Sequence, residues 1–306
     1  MGPTACGKTT LAVLLAQALG GEVVSCDSMQ VYRDMVIGTA APTAQEMGGV
    51  PHHMVGVLDP HESCSVARFA DMACACIDDI LARGKTPILA GGTGLYLDAI
   101  LAGRRFAPGE SGGQTRRMLE RRRDEEGIAA LHDELYRIDP ERAARLAPAD
   151  EKRILRALEV WYETGITITE HDARSRALPP RYRAVKLGLA FEDRADMKAL
   201  IDRRVDGMFA SGLLDEVRAL LRAGVPRDST ALQAIGYKEC LACLDGLADE
   251  AQAAEEVKLR SRQYAKRQLT WLRRDGQIHW YLWKKTRDFQ SALQFSTEIL
   301  RQYGVC

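Results

Sequence analysis

The head of the chain places two glycines, a lysine and a threonine at a spacing that binds phosphate. Gly2-Pro3-Thr4-Ala5-Cys6-Gly7-Lys8-Thr9 fits the pattern G-x-x-x-x-G-K-S/T, and Thr10 follows. In such a loop backbone amides wrap a phosphate, the lysine adds a point charge, and the hydroxyl after it reaches a magnesium ion. The helix that follows adds its positive N-terminal end. Which phosphate the loop holds is a separate question. Nucleoside triphosphate sites pair this loop with a second strand that ends in an acidic residue holding the metal. Here the apolar run 88–90 ends in Gly91-Gly92-Thr93-Gly94. The hydrophobic strand that does end in a carboxylate is Val23-Val24-Ser25-Cys26-Asp27. Its continuation, Ser28-Met29-Gln30-Val31-Tyr32, offers hydrogen-bonding groups suited to a base rather than to a metal.

Positioning these residues takes alternating strands and helices. Periodicity predicts a helix over residues 8–19, a strand over 22–26, a helix over 66–83 and a strand over 86–90 running into the glycines. That rhythm belongs to a doubly wound parallel sheet in the α/β class. From about residue 106 the pattern changes. A Gly-Ser loop at 109–113 leads into charged helical segments up to about residue 176, and Pro179-Pro180 closes them. Residues 185–191 read as a strand returning to the sheet, and 277–282 as a last short strand. The division expected is a catalytic core of residues 1–105 and 183–306 around a helical insertion of residues 106–182.

Composition narrows the class. The 306 residues are 46% hydrophobic and 27% charged, which suits a globular core and excludes a disordered chain. No apolar run reaches the roughly 20 residues of a membrane span, and no secretory signal pattern opens the chain, so no membrane partner and a cytoplasmic location are expected. The eight cysteines lack zinc-finger spacing and read as reduced, mostly buried thiols. Net charge is zero, yet the charge is unevenly spread. Arg104, Arg105, Arg116, Arg117, Arg121, Arg122 and Arg123 crowd one segment, and Lys258, Arg260, Arg262, Lys266, Arg267, Arg273 and Arg274 another. Two basic clusters on a neutral protein suggest contact with a polyanion. Their bland alternative is solvated helix faces with acidic neighbours. Tyr32, Tyr96 and Trp271 could stack on unpaired bases, with core packing the competing reading for Trp271. His52 and His53 are read as a loop that orders the donor pocket or closes on itself.

Taken in order, GPTACGKT, DSMQVYRDMVIGTAAP, PHHMVGVLDP, SVARF, GGTGLY, DEKRILRALEV, AIGYKE and YAKRQLTW resemble the bacterial tRNA dimethylallyltransferase family. The likeness runs from residue 2 to about residue 274, and several segments are foreign to other phosphate-loop families. It implies a parallel sheet of the P-loop NTPase type with helices on both faces and an inserted all-helical subdomain. It also implies a reaction. Dimethylallyl diphosphate binds at the loop, the exocyclic amine of the adenosine just 3′ of the anticodon attacks its first carbon, and diphosphate leaves.

By that resemblance Gly2, Thr4, Ala5, Cys6, Gly7, Lys8, Thr9 and Thr10 cradle the diphosphate, and Thr9 reaches Mg2+. Thr93 contacts the reacting region, and Arg204 neutralises the leaving group. Asp27 is the general base, a role worth about 10²–10⁴-fold for a weak amine nucleophile; a cap or metal-shell role is its structural alternative. The adenine must leave its stack at a cost of about a few kcal/mol, which requires a grip on the anticodon stem-loop. Asp27, Ser28, Met29, Gln30 and Thr93 are the implied contacts near the base. Arg116, Lys152, Arg153, Ile154, Leu155 and Arg156 fall in the insertion, and Gln233, Gly236, Tyr237 and Lys238 near the anticodon arm. A monomer is expected. The competing readings are an adenylate prenyltransferase acting on free AMP, a phosphate-loop small-molecule kinase, and a non-catalytic RNA-binding protein.

Three departures from the family stand out. Ala41 replaces a lysine in GTAAP, Cys64 replaces a tyrosine, and only Met1 precedes the loop where the family has a hydrophobic strand. The last implies a start assigned too late or a shortened form. Each buried backbone group left unpaired by that loss costs about 1–3 kcal/mol, so lowered stability is expected.

Overall fold

The computed structural model describes residues 1–107 and 113–305, so residues 109–112 of the expected Gly-Ser loop lie outside the described residues. Contacts divide the chain into one unit of Met1–Ile100 with Arg183–Cys306 and a second of Leu101–Tyr182.

In the first unit, α1 (Lys8–Leu19) begins after Gly7, whose φ of 88° is left-handed, and stops at Gly20, whose N–H closes on the Ala16 carbonyl. β1 (Glu22–Cys26) follows and is buried along its whole length. The capping box of Thr43 and Glu46 starts the single turn α2 (Ala44–Met47). β2 (His52–His53) and β3 (Pro87–Gly91) flank β1 in parallel, in the order β2-β1-β3. Between them runs α3 (Val66–Ala82), the kind of crossover that parallel neighbours require.

Val23, opposite Ile88, packs with Ala90 against Ala12, Val13 and Ala16 of α1. Strand alternation puts Val24, Cys26 and Leu89 on the other face, where α3 packs and where burial above all pushes the Cys26 thiol upward, with Asp27 and Cys74 adding to it. Helices therefore cover both faces of a parallel sheet.

His52 and His53 correct the loop reading given above. They pair with Val23 and Val24 as a strand, too short for periodicity to register. His53 Nε2 lies 2.8 Å from Glu22. That carboxylate, 3% exposed, also takes bonds from Arg83 and Lys85, and these hold it far below the ordinary carboxylate range. Its contribution is complete above that range and is lost as pH falls below it. Solvent screens the half-exposed Arg83 and Lys85. Glu22→Gln should cost about 1–3 kcal/mol at neutral pH. In urea melts the deficit should shrink at pH 3; an equal deficit at both pH values refutes the ion-pair account.

β4 (Lys186–Phe191) pairs in parallel with β5 (Ile278–Trp283) in a separate two-stranded sheet. This corrects the expectation that residues 185–191 return to the first sheet. Beside β4 lies Met1, whose nitrogen donates to the Leu187 carbonyl at 2.7 Å and whose carbonyl accepts from Leu189 N–H at 2.9 Å. α4 (Gly94–Ala102) follows β3, and between β4 and β5, the strands of this sheet, the chain forms the helices numbered α10 (Arg194–Ala210), α11 (Leu213–Arg222), α12 (Tyr237–Leu244) and α13 (Glu250–Leu272). α14 (Phe289–Gln302) follows β5. Leu11, Leu15, Leu189, Phe191, Ile201, Leu269, Trp283 and Leu300 share one core, which locks α1, α10, α13 and α14 to this second sheet.

The second unit consists, among the described residues, of helices: α5 (Gln114–Glu126), α6 (Ile128–Ile138), α7 (Pro140–Ala144), α8 (Glu151–Thr164) and α9 (Ile168–Arg176). Leu119, Leu131, Leu135, Ile154, Leu155 and Leu158 form its core. Buried Asp139 caps α7 and takes both the N–H and the hydroxyl of Thr169.

Candidate active site

The phosphate loop is held from behind by parts of the chain more than 260 residues away. Gln268 on α13, buried, accepts from the Thr4 amide at 2.8 Å, and Trp283 on β5 donates to the Cys6 carbonyl at 2.8 Å. Ala5, with φ of 63°, sits in the left-handed region that a non-glycine residue rarely adopts, and these bonds on its two neighbours fix it there. Gly7 needs its positive φ, and a Cβ on it would meet the Phe289 ring at 2.8 Å. Lys8 curls over the loop with Nζ 2.7 Å from the Pro3 carbonyl and has no ion pair among the described residues. Gly2 and Cys6 are buried in the loop, and Thr10 is exposed on α1. Thr9 is half-buried in the first turn of α1, and its hydroxyl makes no hydrogen bond among the described residues. A free hydroxyl oxygen at the end of a phosphate loop is a fitting ligand for a hard cation such as Mg2+, which keeps several waters and takes much of its coordination from phosphate oxygens.

Asp27 and Thr93 stand at the carboxyl ends of adjacent parallel strands, because Cys26 and Gly91 are register partners. Ligands of open α/β sheets bind at such ends. Asp27 Oδ1 accepts from the Met29 amide at 2.9 Å and the Gln30 amide at 3.4 Å. Its other oxygen has no hydrogen bond among the described residues. The capping role weighed against catalysis is therefore present, and it occupies one oxygen while leaving the second free. Thr93 Oγ1 lies 3.4 Å from the Tyr264 hydroxyl. A Cβ on Gly92 would meet Gln268 Nε2 at 2.3 Å, so this glycine lets α13 approach the sheet.

Arg204 on α10 completes the group. Its Nη1 reaches the Thr4 hydroxyl at 3.2 Å and its Nη2 the Thr39 carbonyl at 3.4 Å. It has no ion pair among the described residues. Burial lowers its pKa, while the Asp27 charge acts in the opposite direction. Thr4, Asp27, Ser28, Met29, Arg204 and Gln233 all line one cavity of about 320 Å³, and Ile201, Val205, Met208 and Val257 give it an apolar side. A cation without a counter-ion, a carboxylate with a free oxygen and an apolar wall suit a ligand with an anionic head and a hydrocarbon tail.

The other sequence-derived residues divide. Gln30 spends its amide inside the protein, donating to the Thr39 and Ala40 carbonyls and receiving the Ser25 hydroxyl. Gly236 and Tyr237 are buried, and Lys238 is exposed. In the helical unit Lys152 is exposed, Arg153 pairs with Asp150, Arg156 with Glu159, and Arg116 with Glu120. Ile154 and Leu155, 0% and 1% exposed, are a correction: their side chains are core and cannot face a nucleic acid. Tyr32 is likewise buried. Trp271 departs from the core reading, at 37% exposed, with Nε1 bonded to Asp98 and Arg274 over its ring.

The first arginine cluster is largely neutralised, since Arg122 binds Glu126 and Glu134 and Arg123 binds Asp124. The second splits. Lys258, Arg260 and Arg262 pair with acids, while Lys266, Arg267, Arg273 and Arg274 are exposed with no ion pair among the described residues. Gln268, Tyr264 and Trp283 were missed as site residues. The first two lie inside the YAKRQLTW segment, which was the available signal.

The family model described as IPP transferase matches residues 30–275, and one described as Isopentenyl transferase matches residues 1–54. The chain is 45% identical over 281 residues to the tRNA dimethylallyltransferase of Thermomicrobium roseum, covering 92% of this chain and 84% of that one. Among solved structures, the full-length tRNA isopentenylpyrophosphate transferase of Bacillus halodurans aligns with a TM-score of 0.72 at 41% identity, over 98% of this chain and 95% of that one. A eukaryotic dimethylallyltransferase, caught acting on tRNA, aligns with a TM-score of 0.81 at 30% identity, over 98% of this chain and 78% of that one. With its phosphate loop, its strand-end carboxylate and these relatives along nearly its whole length, the chain belongs to the IPP transferase family.

Proposed function

We propose that this chain transfers the dimethylallyl group of dimethylallyl diphosphate to the exocyclic amine of the adenosine 3′-adjacent to the anticodon in tRNA, releasing diphosphate. The observation that carries it is the cavity in which Asp27, Arg204 and Thr4 of the phosphate loop meet beside an apolar wall. The amine nitrogen bonds to the first carbon of the donor as the bond from that carbon to the diphosphate oxygen breaks. The free oxygen of Asp27 takes the amine proton. Lys8, Arg204 and the loop amides hold the departing charge, in a site where such stabilisation is worth a few kcal/mol. Mg2+, held by the Thr9 hydroxyl and the diphosphate, would share in neutralising it. Thr93 orients the reacting groups.

The tRNA grip combines the exposed cations at the end of α13 with Gln233 and Lys238, and in the helical insertion with Arg116, Lys152, Arg153 and Arg156. Residues 106–182 thus act as the RNA-binding insertion of a core built from 1–105 and 183–306. The protein works as a cytoplasmic monomer. No helix among the described residues is long and apolar enough to cross a membrane.

Incubation with labelled dimethylallyl diphosphate and, in separate reactions, unmodified tRNA or AMP tests the reading. Label in tRNA alone is the expected result. Label in AMP alone overturns the acceptor, and phosphoryl transfer from ATP to a small molecule overturns the reaction class.

A further inference from the structure

Outside the cavity, on the first turn of α11, one carboxylate ties together two of its walls. Glu216 accepts from three consecutive backbone amides, Val36 at 2.9 Å, Ile37 at 2.8 Å and Gly38 at 3.2 Å, and from the Tyr237 hydroxyl at 2.6 Å. The amides of one turn converging on an anion form a nest, and bonds to a charged acceptor are the strong kind. Tyr237 is fully buried, its ring lies against Gly38, and burial followed by the Glu216 charge pushes its hydroxyl far above the ordinary phenol range. The hydroxyl is therefore a fixed donor.

Both partners lead into the cavity. Gly38 and Thr39 line one side, and Gln233 and Ala234, just before Tyr237, line another. The Thr39 carbonyl accepts from Arg204 Nη2 and Gln30 Nε2, and the Thr39 hydroxyl is bonded back to the Met35 carbonyl. Glu216 itself is absent from the lining.

We infer that Glu216 is a positioning residue for the prenyl-transfer site: through the turn 36–38 it sets the Thr39 carbonyl that aims Arg204, and through Tyr237 it sets the loop 233–236. The inference rests on the prenyl-transfer reading for its activity measurements and on geometry alone for the rest. A loosened Thr39 carbonyl leaves Arg204 charged but misaimed, so the damage falls on the chemical step. Positioning errors of about 1 Å cost on the order of 10²-fold.

The test compares Glu216→Gln, Tyr237→Phe and Leu220→Ala in the full chain. Leu220 is a buried residue of the same helix that touches none of these bonds. Glu216→Gln should lower kcat by about 10- to 100-fold with KM for tRNA nearly unchanged, and Tyr237→Phe should lower kcat less. Leu220→Ala should lose thermal stability at least as much yet keep kcat within about twofold at a temperature below its melt. Hydrogen exchange at the amides of residues 36–38 should quicken in Glu216→Gln and not in Leu220→Ala.

A kcat for Glu216→Gln equal to wild type overturns the inference, as does an equal loss in Leu220→Ala. If Glu216→Gln does not fold, Tyr237→Phe decides, and an unchanged kcat there is fatal. A wild-type protein that transfers no label defeats the functional reading instead, and the exchange comparison still judges the clamp.

Discussion

Asp27→Ala is expected to lower prenyl transfer to tRNA by about 10²–10⁴-fold while tRNA binding changes little. The size separates two roles that the geometry superimposes. Oδ1 caps the turn by accepting from the Met29 and Gln30 amides, and a lost cap costs about 1 kcal/mol of stability. Such a loss leaves most molecules folded and cannot account for a thousandfold fall in rate. Asp27→Asn sharpens the distinction. An asparagine keeps an oxygen to cap the turn but cannot take a proton from the attacking amine. As a base, Asp27 predicts that Asn is nearly as damaging as Ala in single-turnover transfer. As a cap, it predicts that Asn is close to wild type. Nearly full turnover by the Asn variant removes Asp27 from the proton transfer.

What could be seen in the sequence follows the range of the interactions involved. The phosphate loop, α1, β1 with Asp27 at its end, α3 and the glycines after β3 are local patterns, and the structure places each within a residue or so of its expected bounds. The partners that hold them are not local. Gln268 meets Thr4 across 264 residues and Glu216 meets Val36 across 180, and neither residue type announces such a pairing. The arginine run 116–123 shows another limit of local pattern. A row of like charges reads as a polyanion site, yet acids one turn away or on the next helix take up Arg116 and Arg122. Ile154 and Leu155 sit in the same motif as exposed Lys152, but a helix turns 100° per residue, so neighbours in a motif face opposite environments. β2 escaped because two residues carry no period, and the pairing of β4 with β5 rather than with the first sheet is a matter of hydrogen bonding between distant segments.

Arg204→Ala carries the other large effect, with an unusual pairing of signs. The guanidinium is held by a threonine hydroxyl and a carbonyl rather than by a carboxylate, and burial works against its charge. A partly buried cation without a counter-ion is a cost to the free protein. Removing it should leave the melting temperature of the free protein unchanged or raise it. Transfer, by contrast, should fall by about 10²–10³-fold, because the charge that builds on the departing diphosphate loses a preorganised partner in a shielded site. Lys8, with Nζ at the Pro3 carbonyl, already belongs to the wild-type cradle, so its charge does not make up for the one removed. Inorganic diphosphate supplies a readout free of catalysis. It should raise the melting temperature of the wild-type protein by binding only the folded state, and raise that of the variant much less. A variant that melts lower than wild type without ligand, yet gains the same shift from diphosphate, would assign Arg204 to structure and leave the leaving group to Lys8 and the loop.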